Sequence, residues 1–237
     1  MNPIVVAVLL GILQGILEWI PVSSEGGVAL ASTVIAGVAP ADATRLALFL
    51  HAGTAVAAVA YYREDVGAMV GTVRELSRRP FADETADLSF LLVATVATGV
   101  TGLPAYLVLD AAVADLEGGL FLALIGGLLV LTGLLQRFAV ALSLGERSRP
   151  DWVDAVLVGA LQGLAILPGV SRSGTTVSGL LLRGHDGESS LRLSFLLSIP
   201  AAFGANALVL VDDGIPAIEP VGAVVALAVS AAVGYLT

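Results

Sequence analysis

The sequence predicts an all-α integral membrane protein, arranged as an inverted-repeat helix bundle with two re-entrant segments at which a helix is broken. Three observations predict this fold: a strongly apolar composition, apolar stretches long enough to cross a bilayer, and a duplicated polar segment that interrupts two of them. The 237 residues are predicted to form one membrane domain, in which positions of about 1–110 and 150–237 repeat each other.

The composition favours a bilayer over water as the solvent. Hydrophobic residues make up 57% of the chain, charged residues make up 13%, and the mean hydropathy is +0.95, so a soluble domain would expose most of its apolar surface. About 20 apolar residues of helix cross a hydrocarbon core of roughly 30 Å, and helices satisfy their own backbone in lipid. The apolar stretches are Ile4–Ile20, Gly27–Val38, Leu46–Tyr62, Leu88–Leu109, Gly119–Leu135, Trp152–Leu167, Thr176–Leu182, Leu191–Val211 and Val221–Leu236.

The chemistry of the side chains excludes several sites and partners. The chain has no cysteine and two histidines, so it has neither a thiolate nor a histidine-rich metal site, and any metal is expected on oxygen ligands. All 11 basic residues are arginine, and 20 acidic residues bring the net charge to −9. This acidic surface argues against a nucleic-acid partner and is typical of proteins from a high-salt cytoplasm.

An internal repeat appears at an offset of 148 residues. Ala7–Gly26 aligned with Ala155–Gly174 shows ten identities in twenty positions, where random pairing of so apolar a composition gives about 2 to 3. Each copy is an apolar helix that ends at a segment rich in glycine, serine and proline. Two such halves are typical of inverted repeats whose broken helices meet near the membrane midplane.

The first copy carries a carboxylate within an apolar helix. Gln14 and Glu18 are four residues apart and lie on one face of the helix. A carboxylate that faces lipid costs several kcal/mol unless it is paired or faces a wet cavity. Glu18 is therefore a candidate functional residue, and the alternative is a structural hydrogen bond between helices. The helix then breaks at Pro21–Gly27, which supplies the hydroxyls of Ser23 and Ser24.

The second copy breaks at Pro168–Thr176, where hydroxyls and glycines surround Arg172. Glycines free backbone N–H groups for an anion, arginine clamps phosphate through two hydrogen bonds, and the next helix points its N-terminus inward. The alternative is an ordinary loop with a snorkelling arginine. Because Ile166 and Arg172 are the counterparts of Glu18 and Ser24, the two halves are expected to form one composite site. Its expected substrate-binding residues are Gln14, Ser23, Gly169, Ser171, Ser173, Gly174 and Thr176.

These segments resemble the signatures of the undecaprenyl-diphosphate phosphatase family, the bacitracin-resistance type, in an archaeal-like form. Gln14–Gly26 resembles the first signature, Leu167–Gly179 is similar to the second, and the segment that begins at Leu193 also resembles the family. The resemblance implies a multi-pass enzyme of the cell membrane with inverted-topology repeats and two re-entrant segments. Such an enzyme removes one phosphate from a long-chain polyprenyl diphosphate and recycles the lipid carrier for cell-envelope glycans.

The resemblance also implies roles for individual residues. Glu18 matches the essential glutamate and is expected to hold a metal, Ser24 matches a candidate nucleophile or metal-site serine, and Arg172 matches the phosphate-binding arginine. The matching supporting hydroxyls are Ser171, Ser173 and Thr176. The family usually needs a divalent cation, here expected to be Mg²⁺, which oxygen ligands and substrate phosphates would hold.

The chain departs from the family pattern at three places. Gln14 replaces a glutamate of many members, and Gly27 replaces a histidine of most bacterial members. The family continues through a further helix where this chain ends at Thr237, so the last helix pair is expected to be incomplete. His51 is a candidate catalytic base in place of that histidine, or else a core histidine bonded to a carbonyl group. His185 lies in a polar turn and is expected to be solvated.

Three functions follow, and the first is preferred. In a magnesium-assisted phosphohydrolase, Arg172 binds the diphosphate, a metal on Glu18 offsets charge, and either Ser24 or a water activated by Glu18 attacks. The alternatives are a polyprenyl-phosphate transporter or flippase without hydrolysis and a degenerate structural membrane protein. The expected partners are the polyprenyl diphosphate lipid and the membrane, and a homodimer is a further prediction.

Overall fold

The computed structural model describes residues 2–114, 118–143, 145–212 and 219–237, and within them every regular element is a helix. This confirms the prediction of an all-α fold. The eleven helices in these ranges are α1 (Pro3–Leu17), α2 (Ser24–Ala36), α3 (Pro40–Tyr61), α4 (Arg63–Gly71), α5 (Val73–Leu76), α6 (Ala86–Ala114), α7 (Gly118–Leu142), α8 (Trp152–Leu164), α9 (Arg172–Leu182), α10 (Gly187–Asp212) and α11 (Pro220–Leu236).

Within the part of the chain that the structure describes, four helices are long and apolar enough to cross a membrane, and they contain the spans Pro40–Tyr61, Ala86–Leu109, Gly119–Leu142 and Gly187–Val211. Three shorter apolar helices, α1, α8 and α11, accompany them. The prediction of a multi-pass membrane protein is confirmed. Helices α4 and α5 lie between two predicted apolar stretches, in a polar segment where the sequence predicted no helix.

Both copies of the repeat break their helix at equivalent positions. After α1 ends at Leu17, α2 begins with Ser23 as its N-cap, whose side chain accepts a hydrogen bond from the Gly26 N–H at 3.0 Å. In the second copy, Ser171 caps α9 and accepts from the Gly174 N–H at 3.1 Å. A serine N-cap satisfies a backbone donor that the helix leaves open. That the two broken segments are re-entrant stays a prediction.

Each broken helix packs closely against a helix from the other half of the chain, α1 along α11 and α8 along α6. Glycines make these contacts close. A Cβ atom on Gly15 would lie 2.7 Å from the Val233 Cβ, and one on Gly159 would lie 2.3 Å from the Ala94 carbonyl oxygen. In lipid, where no hydrophobic effect drives helices together, such small residues allow the close backbone contact that stabilises a bundle.

Helices α3 and α10 occupy corresponding places in the two halves and run antiparallel. The Asn206 side chain, late in α10, donates to the Phe49 carbonyl oxygen at 2.8 Å, whereas Arg192, early in α10, contacts Asp65 beyond the end of α3 at 2.6 Å. This direction supports an inverted repeat within a single domain, both of which stay predictions.

The prediction that His185 is solvated is wrong. Its side chain is fully buried, and its Nε2 lies 2.9 Å from a carboxylate oxygen of Asp154, which is also fully buried. Arg183 donates to the other oxygen of Asp154 at 2.6 Å, and the backbone of Arg147 pairs with that of His185 in an isolated parallel bridge. The chain before α8 therefore covers the turn after α9, a long-range contact that turn composition does not reveal.

Candidate active site

The two breaks lie directly against each other. The Ser23 hydroxyl, already the cap of α2, also accepts a hydrogen bond from the Gly169 N–H at 3.2 Å. Gly169 has a φ of 102°, a region that favours glycine, and a Cβ atom on Gly26 would lie 2.9 Å from the Gly169 nitrogen. Glycine is therefore required on both sides of this contact, which brings the N-termini of α2 and α9 to one place.

Glu18 joins the two halves at this place. Its Oε2 accepts hydrogen bonds from the Gln14 amide at 2.9 Å and the Ser24 hydroxyl at 2.8 Å, and its Oε1 pairs with the Arg172 guanidinium. The carboxylate is buried, and a buried charge is tolerated when a counter-charge and hydrogen-bond donors satisfy it. The structure thus brings together Glu18 and Ser24 from the first copy and Arg172 from the second.

His51 adds a titratable group from α3. Its Nδ1 lies 2.7 Å from the Ala47 carbonyl oxygen, which can only accept, so Nδ1 carries a proton and donates it to this bond. The Nε2 of His51 lies 3.4 Å from the Ser24 hydroxyl and 3.4 Å from Glu18 Oε2. His51 is therefore bonded to a carbonyl group, as in a core histidine, and its Nε2 also lies near the Ser24 hydroxyl, which donates its proton to Glu18.

Arg172 is held from behind by its own helix and by α10. The guanidinium donates to the Ser194 carbonyl oxygen at 3.3 Å. The Thr176 hydroxyl donates to the Arg172 carbonyl oxygen at 2.9 Å and lies 2.7 Å from the Ser194 hydroxyl. Ser173 donates to the Ile20 carbonyl oxygen at 3.4 Å. Of the predicted substrate-binding residues, Ser23 lines the cavity described next. The others are not among its lining residues: Gln14, Gly169, Ser171, Ser173, Gly174 and Thr176.

A cavity of about 630 Å³ opens from this site. Its polar lining residues at the two breaks are Ser23, Ser24, Glu25, His51 and Arg172. Much of the remaining wall comes from small and apolar residues of α6 and α10, including Val96, Gly99, Leu103, Ala201 and Leu208. A cavity with charged groups at one end and an apolar wall suits a ligand with a compact anionic group and a long apolar chain.

Comparison with known proteins identifies the family of this chain. The family model described as bacitracin resistance protein BacA matches residues 7–237. The chain belongs to the BacA family. This membership confirms the resemblance found in the two signatures.

Several curated relatives carry the name undecaprenyl-diphosphatase. The protein from Haloarcula marismortui is 81% identical over 237 residues, covering 100% of this chain and 88% of the relative. The one from Methanococcoides burtonii is 42% identical over 204 residues, covering 84% and 76%. The one from Methanopyrus kandleri is 42% identical over 217 residues, covering 91% and 78%.

Some residues of this BacA-family site were assigned no role from the sequence. Glu25 lines the cavity one residue after Ser24, and Gln162, Thr98 and Ser198 line it further along. Gln162 is the repeat counterpart of Gln14, and its amide donates to Thr98 Oγ1 at 3.2 Å. The repeat itself was the signal that pointed to Gln162, whereas the place of Thr98 depends on the packing of α6 against α8.

The carboxylates of Glu18 and Glu25 differ in whether they have an oxygen free to bind the divalent cation that the BacA family implies. Both oxygens of Glu18 already accept from protein donors, but Oε1 of Glu25 is buried without one. Within the described ranges, no group of three or more His, Cys, Asp or Glu residues is arranged to hold a metal. The residues therefore fit a hard cation held by carboxylate oxygen together with substrate phosphates, rather than one enclosed by protein ligands alone.

Proposed function

We propose that this chain hydrolyses a polyprenyl diphosphate to the monophosphate and inorganic phosphate, and so recycles the lipid carrier for cell-envelope glycans. The observation that carries the proposal is the convergence of Ser24, His51 and Arg172 at the polar end of a cavity whose wall is largely apolar. Glu18 does not line the cavity but bonds to both Ser24 and Arg172. The diphosphate fits the polar end, and the prenyl chain fits the wall between α6 and α10.

Arg172 and the helix N-termini bind the diphosphate. The guanidinium has five N–H donors in a planar fork, of which Glu18 and the Ser194 carbonyl oxygen engage only some, so others are available to phosphate oxygens. The N-termini of α2 and α9 add their positive dipole ends. Glu18 holds the guanidinium in place before the substrate arrives, which reduces the entropy lost on binding.

Ser24 is the nucleophile in this mechanism and His51 is the base. The Ser24 oxygen attacks the terminal phosphorus, and its proton leaves the hydrogen bond to Glu18 and passes to His51 Nε2. The bond from phosphorus to the bridging oxygen breaks and releases the lipid monophosphate. Water then attacks the phosphoserine, phosphate leaves, and the proton returns to Ser24. Glu18, at 3.4 Å, stabilises the imidazolium. A divalent cation bound with the substrate supplies positive charge for the phosphate oxygens.

The test is phosphate release from a polyprenyl diphosphate by the purified chain in detergent. We expect release by the unmodified chain and by Ser77→Ala, an exposed serine, but a loss of at least about a hundredfold in Ser24→Ala, because the nucleophile is removed. Acid quenching with labelled terminal phosphate should recover label on Ser24. If the unmodified chain releases no phosphate but moves the lipid diphosphate across vesicles, it is a transporter and the proposal fails.

A further inference from the structure

Glu25 is a buried carboxylate at the polar end of the cavity that the proposed reaction does not use. It is the second residue of α2, directly after Ser24, and it lines the cavity beside Ser23 and His51. The residue is only 4% exposed, and its Oε1 is buried without a hydrogen-bond partner. No ion pair to Glu25 exists among the described residues.

The surrounding donors are engaged elsewhere. At the start of α2, the Gly26 N–H donates to the Ser23 hydroxyl at 3.0 Å, and the Gly27 N–H donates to the Ser23 carbonyl oxygen at 3.0 Å. The arginine of the site, Arg172, pairs with Glu18 instead. An ionised carboxylate buried in this way is unfavourable, and a cation brought by a ligand would compensate its charge.

The substrate makes such a cation more favourable. A diphosphate bound at Ser24 would place an anion next to the Glu25 carboxylate, and the two would repel each other unless a cation lay between them. Magnesium and similar ions are bound through one or two carboxylates plus substrate phosphates and water, and not by a full set of protein ligands. The described residues, which hold no cluster of three or more metal-binding side chains, fit that mode.

We propose that Glu25 binds a divalent cation of the magnesium class and shares it with the diphosphate, while Glu18 stays paired with Arg172. The inference rests on the proposed function, because the substrate phosphates supply the other ligands. It differs from the sequence-based prediction of a metal on Glu18, since both oxygens of Glu18 already accept from Gln14, Ser24 and Arg172.

The experiment measures Mn²⁺ binding to the full chain in detergent by electron paramagnetic resonance. A methylene-bridged, non-hydrolysable prenyl diphosphate analogue is present, and 1 M KCl screens the acidic surface. We expect Glu25→Gln to raise the Kd for Mn²⁺ at least about tenfold and Glu25→Asp to raise it less. The exposed control Glu84→Gln should stay within about threefold of the unmodified chain.

Thermal unfolding provides a second readout that does not depend on turnover. Because Glu25→Gln replaces an unpaired buried carboxyl group, its unfolding midpoint without metal should not fall. Adding Mn²⁺ to the analogue-bound protein should raise the midpoint of the unmodified chain and of Glu84→Gln more than that of Glu25→Gln. The cation site is overturned if Glu25→Gln binds Mn²⁺ as the unmodified chain does, or if Glu18→Gln abolishes binding and Glu25→Gln does not. Phosphate release by the unmodified chain would still uphold the proposed function in either case, whereas its absence would reject that function.

Discussion

At the scale of single residues, the two acidic side chains of the site illustrate how partners decide the role of a charge. Glu18 accepts from an amide, a hydroxyl and a guanidinium, so its charge is compensated before substrate binds. It therefore acts by holding Arg172 and Ser24 in position. Glu25, seven residues further along the chain, has the same side chain and no such donors, which leaves it available to a ligand.

Replacing Arg172 by lysine should remove most of the activity although the charge is kept. The guanidinium contacts Glu18 and the Ser194 carbonyl oxygen together while facing the cavity, and a single ammonium group cannot reproduce that fork. We expect kcat/KM for phosphate release to fall at least about a hundredfold, against no change in Arg63→Lys, whose side chain is 66% exposed. Turnover near that of the unmodified chain would mean that Arg172 contributes only diffuse charge.

The second residue-scale prediction concerns His51, which the proposed mechanism uses as the base. His51→Ala should lower kcat by about 10² to 10⁴ while binding of the lipid diphosphate survives, because the phosphate clamp is Arg172. Imidazole added to the buffer should restore part of the lost rate, an effect that a purely structural histidine would not show. A loss below about threefold, together with complete loss in Glu18→Gln, would instead assign proton transfer to Glu18.

At the scale of helices, close packing in lipid depends on backbone contact more than on side-chain volume. Gly159 in α8 contacts the backbone of α6 at Ala94, and Thr98 in α6 donates to the Gly159 carbonyl oxygen at 3.0 Å. The α6–α8 pair supports one wall of the cavity and leads into the break that carries Arg172. Packing of these two helices therefore positions the end of α8, from which the chain runs into that break.

Gly159→Ala should destabilise the protein, because the added methyl group would lie 2.3 Å from the Ala94 carbonyl oxygen. Overpacking of this kind costs about 1–3 kcal/mol, to be measured as a lower midpoint of thermal unfolding in detergent. Gly133→Ala in α7 is the matched control, since nothing lies within 4 Å of the new atom and alanine favours a helix. Equal midpoints for the two variants would contradict the α6–α8 contact.

Much of this arrangement was predictable from local sequence, and the remainder depended on contacts between distant residues. Hydropathy predicts the long helices, and the repeat predicts the breaks before Ser24 and Arg172. Nothing near Glu25 indicates that its neighbouring donors are used by other groups. The turn that contains His185 resembles a solvated one, because the chain segment that covers it lies 38 positions earlier, at Arg147.

At the scale of the whole molecule, the charged side chains are unevenly distributed. Paired charges lie at the ends of helices, as where Arg192 contacts Asp65 and Asp87 at 2.6 and 2.7 Å. The apolar faces of α6 and α7 are largely exposed in the single chain and suit contact with lipid. The excess of carboxylates leaves a net charge of −9, so repulsion among the polar segments opposes folding.

Stability should therefore rise with salt concentration. A Debye length of about 10 Å at 0.1 M falls to about 3 Å at 1 M, so we expect most of the rise in the unfolding midpoint to occur below about 1 M KCl. The triple variant Glu75→Gln, Glu84→Gln, Glu146→Gln removes three exposed carboxylates and brings the net charge from −9 to −6. The unfolding midpoint of this variant in low salt should be higher than that of the unmodified chain. Between 0.1 and 1 M KCl, its midpoint should rise by less than the midpoint of the unmodified chain, because fewer charges remain to be screened. The same salt response in both proteins would show that specific ion binding, and not screening of the acidic surface, stabilises the fold.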